Sequence, residues 1–408
     1  MKLSNFKTDF QSFNFYFAFL IAVFLPFKFL ISPLIGGWVI LKLFFFRKTS
    51  WKSILNNGIA ICSLLFFLAH LFAYFFSNNN HEALFSIELK LSFLFLPILF
   101  ATSGFESKIK NKLLFSFVFA NSIAVLICLT NSLFNLYKNH ELLTYNNFCL
   151  FMHPGYFSMY LCFSILTLLY RIKDFDFLNN NKLVIGLLFI VLLTGIFLAA
   201  SKMGILAFLI LVPFAMLFQL WKNKNYLSIL ISMSLILISS LYFIKSDSLA
   251  AARLRSSIQF FSSDHVIDKT TTESNAVRVL IWQQAIQLIK ERPFLGYTPG
   301  DVNDKLYTSY NENGLSGAFE NRLNAHNQFL QSTLGIGVIG FSLLVSLILL
   351  TVYNGIRHND TLIVFFAIII LFNFFVESML QTSAGTLFFV FFISLFTITK
   401  NNLSEKES

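Results

Sequence analysis

The chain has 408 residues, 56% hydrophobic and only 12% charged, with mean hydropathy +0.70. Soluble domains carry about 25% charged residues, and about 20 apolar residues cross a hydrocarbon core roughly 30 Å thick, so an ordinary soluble domain is excluded and an all-α integral membrane protein is predicted. The formal charge of +10 does not indicate nucleic acid, because Lys and Arg gather in alternate loops, the positive-inside pattern of a membrane topology.

In chain order, apolar spans are predicted at 13–26, 33–46, 55–77, 87–103, 113–136, 154–171, 183–200, 203–220, 226–244, 332–353, 360–379 and 383–399. They make about 12 transmembrane helices with both termini cytoplasmic, and the first run reads as a retained span rather than a cleavable signal. Basic loops at Arg47-Lys48 to Lys52, Lys108 to Lys112, Arg171 to Lys182, Lys222 to Lys224 and at Arg357 alternate with loops poor in Lys and Arg. The first two spans, around Pro26 and Pro33, and the pair flanking Ser201-Lys202 also fit re-entrant hairpins. Three regions follow: an N-terminal membrane region over 1–244, a long periplasmic loop over 245–331, and a C-terminal membrane region with its cytoplasmic tail NNLSEKES over 332–408. The 54 Phe read as the imprint of an AT-rich genome rather than an aromatic ligand site. The four Cys form no C-x-x-C pair, so neither a zinc site nor a disulfide framework is indicated.

The polar segment 245–331 has nine basic and nine acidic residues, so it is no polybasic surface. Within it, Val277, Leu280, Ile281, Ala285, Ile286 and Ile289 recur at helical spacing. Pro293 and Gly296 stop that helix. A second helix is expected from about Arg322 into the tenth span, and Gly296–Glu320, rich in Gly, Asn, Ser and Tyr, reads as a mobile loop without periodicity.

His326, at the start of that second helix, is the first candidate for catalysis, because imidazole changes protonation near neutral pH. An interfacial His bonded to a carbonyl or water is the plainer alternative. Arg278, with Lys290, Arg292 and Arg322 nearby, suits a phosphate clamp, since guanidinium offers forked donors and stays charged. For Lys290 and Arg292 a solvated helix face is the simpler reading. Lys202 in the tight Ser201-Lys202 turn either snorkels or meets an anionic substrate. Glu377 is either a wet helix end or the partner of a buried cation, and His153-Pro154 is a helix start. Asp301 and Asp304 are the nearest thing to a carboxylate cluster, but no His or further acid stands at ligand spacing. No metal and no cofactor are therefore expected. The glycines of Gly335–Gly340 suit close helix packing.

Arg278 and Trp282 ahead of Pro293 and Gly296, then His326-Asn327 and the Gly335–Gly340 run, resemble the O-antigen ligase superfamily of O-antigen ligases, surface-polysaccharide polymerases and protein O-oligosaccharyltransferases. His153-Pro154-Gly155-Tyr156, and Glu377 with Gln381 and Gly385, extend the resemblance over most of the chain. It implies a GT-C-like membrane fold and metal-independent, inverting transfer from a polyprenyl-diphosphate-linked glycan in the bacterial inner membrane, with the active site facing the periplasm. It further implies Arg278, Lys202 and Arg322 as diphosphate ligands, His326 as the base, and Asn327, Glu377, His153 and Tyr156 in support. Where the family often has Ser-Arg, this chain has Ser201-Lys202, which keeps the charge and loses the fork. The expected acceptor is a lipid A-core sugar. A growing polysaccharide or a protein acceptor remains an alternative, and nucleic acid is not a partner. A transporter or flippase would be expected to show inverted repeats, and none is read here.

Overall fold

The structure, a computed structural model, describes residues 2–45, 50–174, 181–224, 227–228, 231, 233–234, 243–262 and 267–398. Its helices are α1 (Lys2–Phe24), α2 (Ile31–Phe45), α3 (Ser50–Leu55), α4 (Gly58–Tyr74), α5 (Asn80–Ala101), α6 (Ser107–Asn139), α7 (Pro154–Arg171), α8 (Lys182–Ala199), α9 (Lys202–Lys222), α10 (Leu249–Ser262), α11 (Ser274–Glu291), α12 (Val302–Glu312), α13 (Ser316–Glu320), α14 (Gln328–Arg357), α15 (Thr361–Val376) and α16 (Ser383–Leu395). Among the described residues six are long and apolar enough to cross a membrane, namely α5, α6, α7, α8, α9 and α14, and five apolar helical stretches are shorter. The spans expected from sequence coincide with these helices, except 226–244, which lies largely outside the described residues, as do Arg47-Lys48 and the tail.

α4 packs on α5 and α14, α16 on α5, and α7 on α8 and α9. The phenylalanines supply the filling. Tyr160 of α7 stacks on Phe388 of α16 at 4.5 Å between ring centroids, and Phe117, Phe163, Phe366 and Phe392 close around them edge to face or tilted. Tyr160 also donates to the Ala384 carbonyl at 2.7 Å. Such large apolar side chains bury the most area per residue and pack in few geometries, so α7 and α16 are fixed beneath the ends that carry the polar residues.

The polar segment forms a second, smaller core. Val277, Leu280, Ile281, Ala285 and Leu288 of α11 meet Tyr297, Val302, Leu306 and Tyr310, while Ile286 stands exposed. The stretch 296–320, expected to be a loop, contains α12 and α13. Asp301 fastens it to the membrane helices: its carboxylate accepts from the backbone of Asn78 and Asn79 and from the Thr298 hydroxyl. Desolvation would raise this carboxyl, but those donors outweigh it and hold it below the ordinary carboxylate value.

The second polar helix begins at Gln328, not near Arg322, and is broken at Ile336 and Gly337. There the turn after α11 plugs into it. Val338 donates to the Pro293 carbonyl at 2.9 Å and Tyr297 to the Leu334 carbonyl at 2.7 Å. Gly337 has φ +61°, and a Cβ there would lie 2.0 Å from the Phe294 carbonyl oxygen. The glycine run thus admits a loop backbone rather than a neighbouring helix.

Candidate active site

A cleft of about 470 Å³ opens where the polar segment meets the membrane helices. The starts of five helices converge on it, each capped by a side chain that satisfies otherwise orphaned amides. His153 caps α7, Ser201 caps α9, Glu273 caps α11, Asn327 caps α14 and Thr382 caps α16. Helix N-termini carry partial positive charge, which favours anions.

At the centre stands Glu377, at the end of α15. Its Oε1 accepts from Arg278 Nη2 at 2.8 Å and its Oε2 lies 3.1 Å from His326 Nδ1. Desolvation would raise the Glu377 carboxyl, but the bond from His326 and the charges of His326, Arg278 and His153 outweigh it, so it is held below the ordinary value. A carboxylate kept ionised only accepts hydrogen bonds. His326 therefore donates through Nδ1, so that in the neutral tautomer consistent with this bond the lone pair is on Nε2. His326 itself has φ +42°, a backbone region costly for a residue with a side chain. An Asn324 side-chain oxygen accepting from its amide at 2.9 Å holds the turn.

The loop carrying Glu377 is pinned from two sides. Gln328 Oε1 accepts from the Leu380 amide at 2.6 Å, and Lys90, fully buried in α5, donates to the Leu380 carbonyl at 2.8 Å. Asn327 donates to the Phe375 carbonyl at 3.1 Å, and Trp282 to the Ala325 carbonyl at 3.0 Å. Neither Lys90 nor Gln328 was a candidate from sequence, though a lysine within an apolar span is a signal in itself.

Arg278, at the start of the second turn of α11, also donates through Nη1 to the Ser274 carbonyl at 3.2 Å, while its buried Nε has no partner. Lys202 opens α9 and reaches Glu273 Oε1 and Ser274 Oγ, both at 2.9 Å. Desolvation works against the Glu273 charge, but the Lys202 bond and the amides of Ala276 and Asn275 hold its carboxyl low. His153 Nδ1 accepts from the Gly155 amide at 3.2 Å. Its ring is held below the ordinary histidine value by desolvation first, then by the charges of His326, Arg278 and Lys28, with Glu377 pulling the other way.

The cleft thus gathers His326, Arg278, Lys202, Glu377, His153 and Tyr156. Asn327 supports it from behind. Arg322 does not line it: the residue is exposed, and its backbone alone is seen bonded, the carbonyl accepting from Tyr307 at 3.0 Å and the amide donating to the Phe319 carbonyl at 3.1 Å. Among the lining residues that the sequence did not mark are Arg253 of α10 and Tyr145, which lie against each other. Residues 187–345 match the family model described as O-Antigen ligase. The matched stretch holds Lys202, Arg253, Arg278 and His326 but not Glu377 or His153. No curated protein matches the chain.

Proposed function

We propose that the chain, whose residues 187–345 match the O-antigen ligase family model, is a member of that superfamily, and that this multi-pass membrane protein transfers a polyprenyl-diphosphate-linked glycan to a saccharide hydroxyl, with a lipid A-core sugar as acceptor. The observation that carries the reading is Glu377 joined to both Arg278 and His326 in one cleft. His326 Nε2 takes the acceptor's hydroxyl proton while the freed oxygen attacks the anomeric carbon. The anomeric carbon–oxygen bond to phosphate breaks with inversion, and its electron pair leaves on the diphosphate. Arg278, Lys202 and the converging helix starts offset the charge that develops there, the electrostatic role that weighs most in such transfers. Glu377 fixes the imidazole tautomer and stabilises the imidazolium that forms, as a carboxylate does behind a general-base histidine. The donor bond carries the energy, so no nucleotide is required.

The cleft faces the periplasm of the inner membrane in this proposal, and a reporter fused at Asn311 that reads cytoplasmic would remove it. The direct test is glycan analysis of a deletion strain. Lipid A-core without polymer, with lipid-linked polymer accumulating, supports the ligase. Loss of the polymer itself would reassign the chain as a polymerase, and under-glycosylated secreted proteins with normal glycan as a protein transferase. Purified protein should transfer glycan in EDTA; an enzyme inactivated by EDTA and restored by Mg²⁺ would replace the cation model with a metal one.

A further inference from the structure

The cations of the cleft are not equivalent. Lys202 is spent on Glu273 and Arg278 on Glu377. Arg253 also lines the cleft, yet its guanidinium forms no hydrogen bond or ion pair with any described residue, and its Nε is buried without a partner. Its neighbour Arg255 shows the contrast, donating to the carbonyls of Ile244 and Ser246 of its own chain.

Arg253 is nevertheless held in place. Its guanidinium carbon lies 3.9 Å from the centre of the Tyr145 ring, a cation–π contact that uses the face of the group and leaves its N–H edge open. Tyr145 is fixed in turn: its amide donates to the Leu198 carbonyl at 2.8 Å, its φ is +54°, and its ring meets His153 edge to face at 6.4 Å. α10 is tied to α11 by Asn275 donating to Ser257 Oγ at 3.2 Å. A pre-placed guanidinium that no described carboxylate meets, beside two cations already paired with acids, adds positive charge to that of Arg278, Lys202 and the helix starts.

We propose that Arg253 binds the phosphate oxygens of the lipid-linked donor, its forked N–H edge meeting the diphosphate while its face rests on Tyr145. This rests on the transfer reading above and names a ligand that Arg322 does not provide.

The test uses the full-length purified chain in lipid nanodiscs with two probes, geranylgeranyl diphosphate and geranylgeraniol. Wild-type protein should bind the diphosphate more tightly than the alcohol. Arg253→Gln should lower that preference roughly tenfold to a hundredfold, the loss of one charge-assisted contact, with alcohol binding unchanged. Arg253→Met, which keeps an apolar stem against Tyr145, gives the same reading should the glutamine variant not fold, and Tyr145→Leu should lower the preference by less. An unchanged preference in Arg253→Gln, with Arg278→Gln losing it, would overturn the assignment and leave the transfer reading standing. Equal loss of both probes would make Arg253 a structural prop, which also overturns it. Absence of any diphosphate preference in the wild type would instead defeat the transfer reading.

Discussion

Two carboxylates, one at each end of the helix bundle, each sit between two basic side chains, and their surroundings differ. Asp360, at the start of α15, takes Lys110 at 2.9 Å and Arg171 in a shorter contact, tying α6, α7 and α15 together. Glu377, at the other end of the same helix, takes Arg278 and His326. Asp360's partners are an ammonium and a guanidinium, so the cluster closes on itself as an ion pair. Glu377 has an imidazole for one partner, a group able to pass a proton, and a guanidinium for the other; a buried Nε without a partner is common to Arg278 and Arg171 and does not separate the two clusters. Its side chain is 22% exposed to the cleft against 7% for Asp360. The surroundings differ in the same sense. Helix starts converge around Glu377, whereas α7, α9 and α14 end near Asp360 with Arg171, Lys222 and Arg357 in their last turns, the placement that complements a helix C-terminus. Geometry alone makes both look like ion-pair hubs; the imidazole partner and the greater exposure set Glu377 apart as the proposed working site.

The strongest way to break this contrast is to remove the mobile partner. His326→Ala should lower transfer by about 10²–10⁴ while leaving donor binding intact, and Arg278→Ala by about 10²–10³, with Arg278→Lys restoring only part because lysine has no fork. Single-turnover transfer in detergent, with protein level in the membrane as control, measures both. An active His326→Ala enzyme would reduce the histidine to positioning the acceptor.

Asp360→Asn tests the other hub. It removes the charge between Lys110 and Arg171, leaving Arg171 only its contact with the more exposed Asp174, which should cost about 1–3 kcal/mol of stability, below the range for fully buried pairs because both cations are partly exposed. The readout is a lower thermal melting point with transfer per folded molecule unchanged. A collapse of turnover without loss of stability would mean the two ends are coupled and the contrast is wrong.

The two hubs also show what could be read from sequence. Helices stand where apolar runs were read, because long apolar stretches mark them directly, though only six are long and apolar enough to cross a membrane among the described residues; of the short motifs at helix ends, His153 and His326 line the cleft. Arg253 was not legible. It becomes a site residue only through Tyr145, more than a hundred positions earlier, and no spacing rule spans that distance. Arg322 failed for the converse reason: nearness in sequence to His326 did not bring its side chain to the same face. α12 was missed although Val302, Leu306 and Tyr310 stand four apart, because the surrounding Asn, Ser and Asp residues are weak helix formers. Its helix is held by the second core and by the Asp301 latch.

A pH series sharpens the comparison further. The folded value of Glu377 lies below its unfolded one, near 4.3 for an ordinary glutamate. The stability it contributes is therefore fully present above that unfolded value and lost only as pH falls through the lower folded value. The stability gap between wild type and Glu377→Gln should stay constant from neutral pH to about pH 5 and close at more acidic pH. Chemical denaturation across that range measures it, and a gap already closing near neutral pH would mean Glu377 is not held ionised by its two partners.

The smallest effect is expected at Lys202. Its ammonium sits between Glu273 and Ser274, at the first turn of the helix that carries Arg278. That position allows it to bind substrate phosphate only by sharing itself with Glu273. Arginine there would keep the Glu273 contact with one edge and present a second to the cleft, so Lys202→Arg should hold or raise kcat/KM by no more than a few-fold. Lys202→Met should lower it, but by less than Arg278→Ala, because Arg253 and the helix starts remain to meet the diphosphate. A dead Lys202→Arg enzyme of normal stability would show that this turn has no room for the larger group, and that Lys202 serves the cap of α11 rather than the substrate.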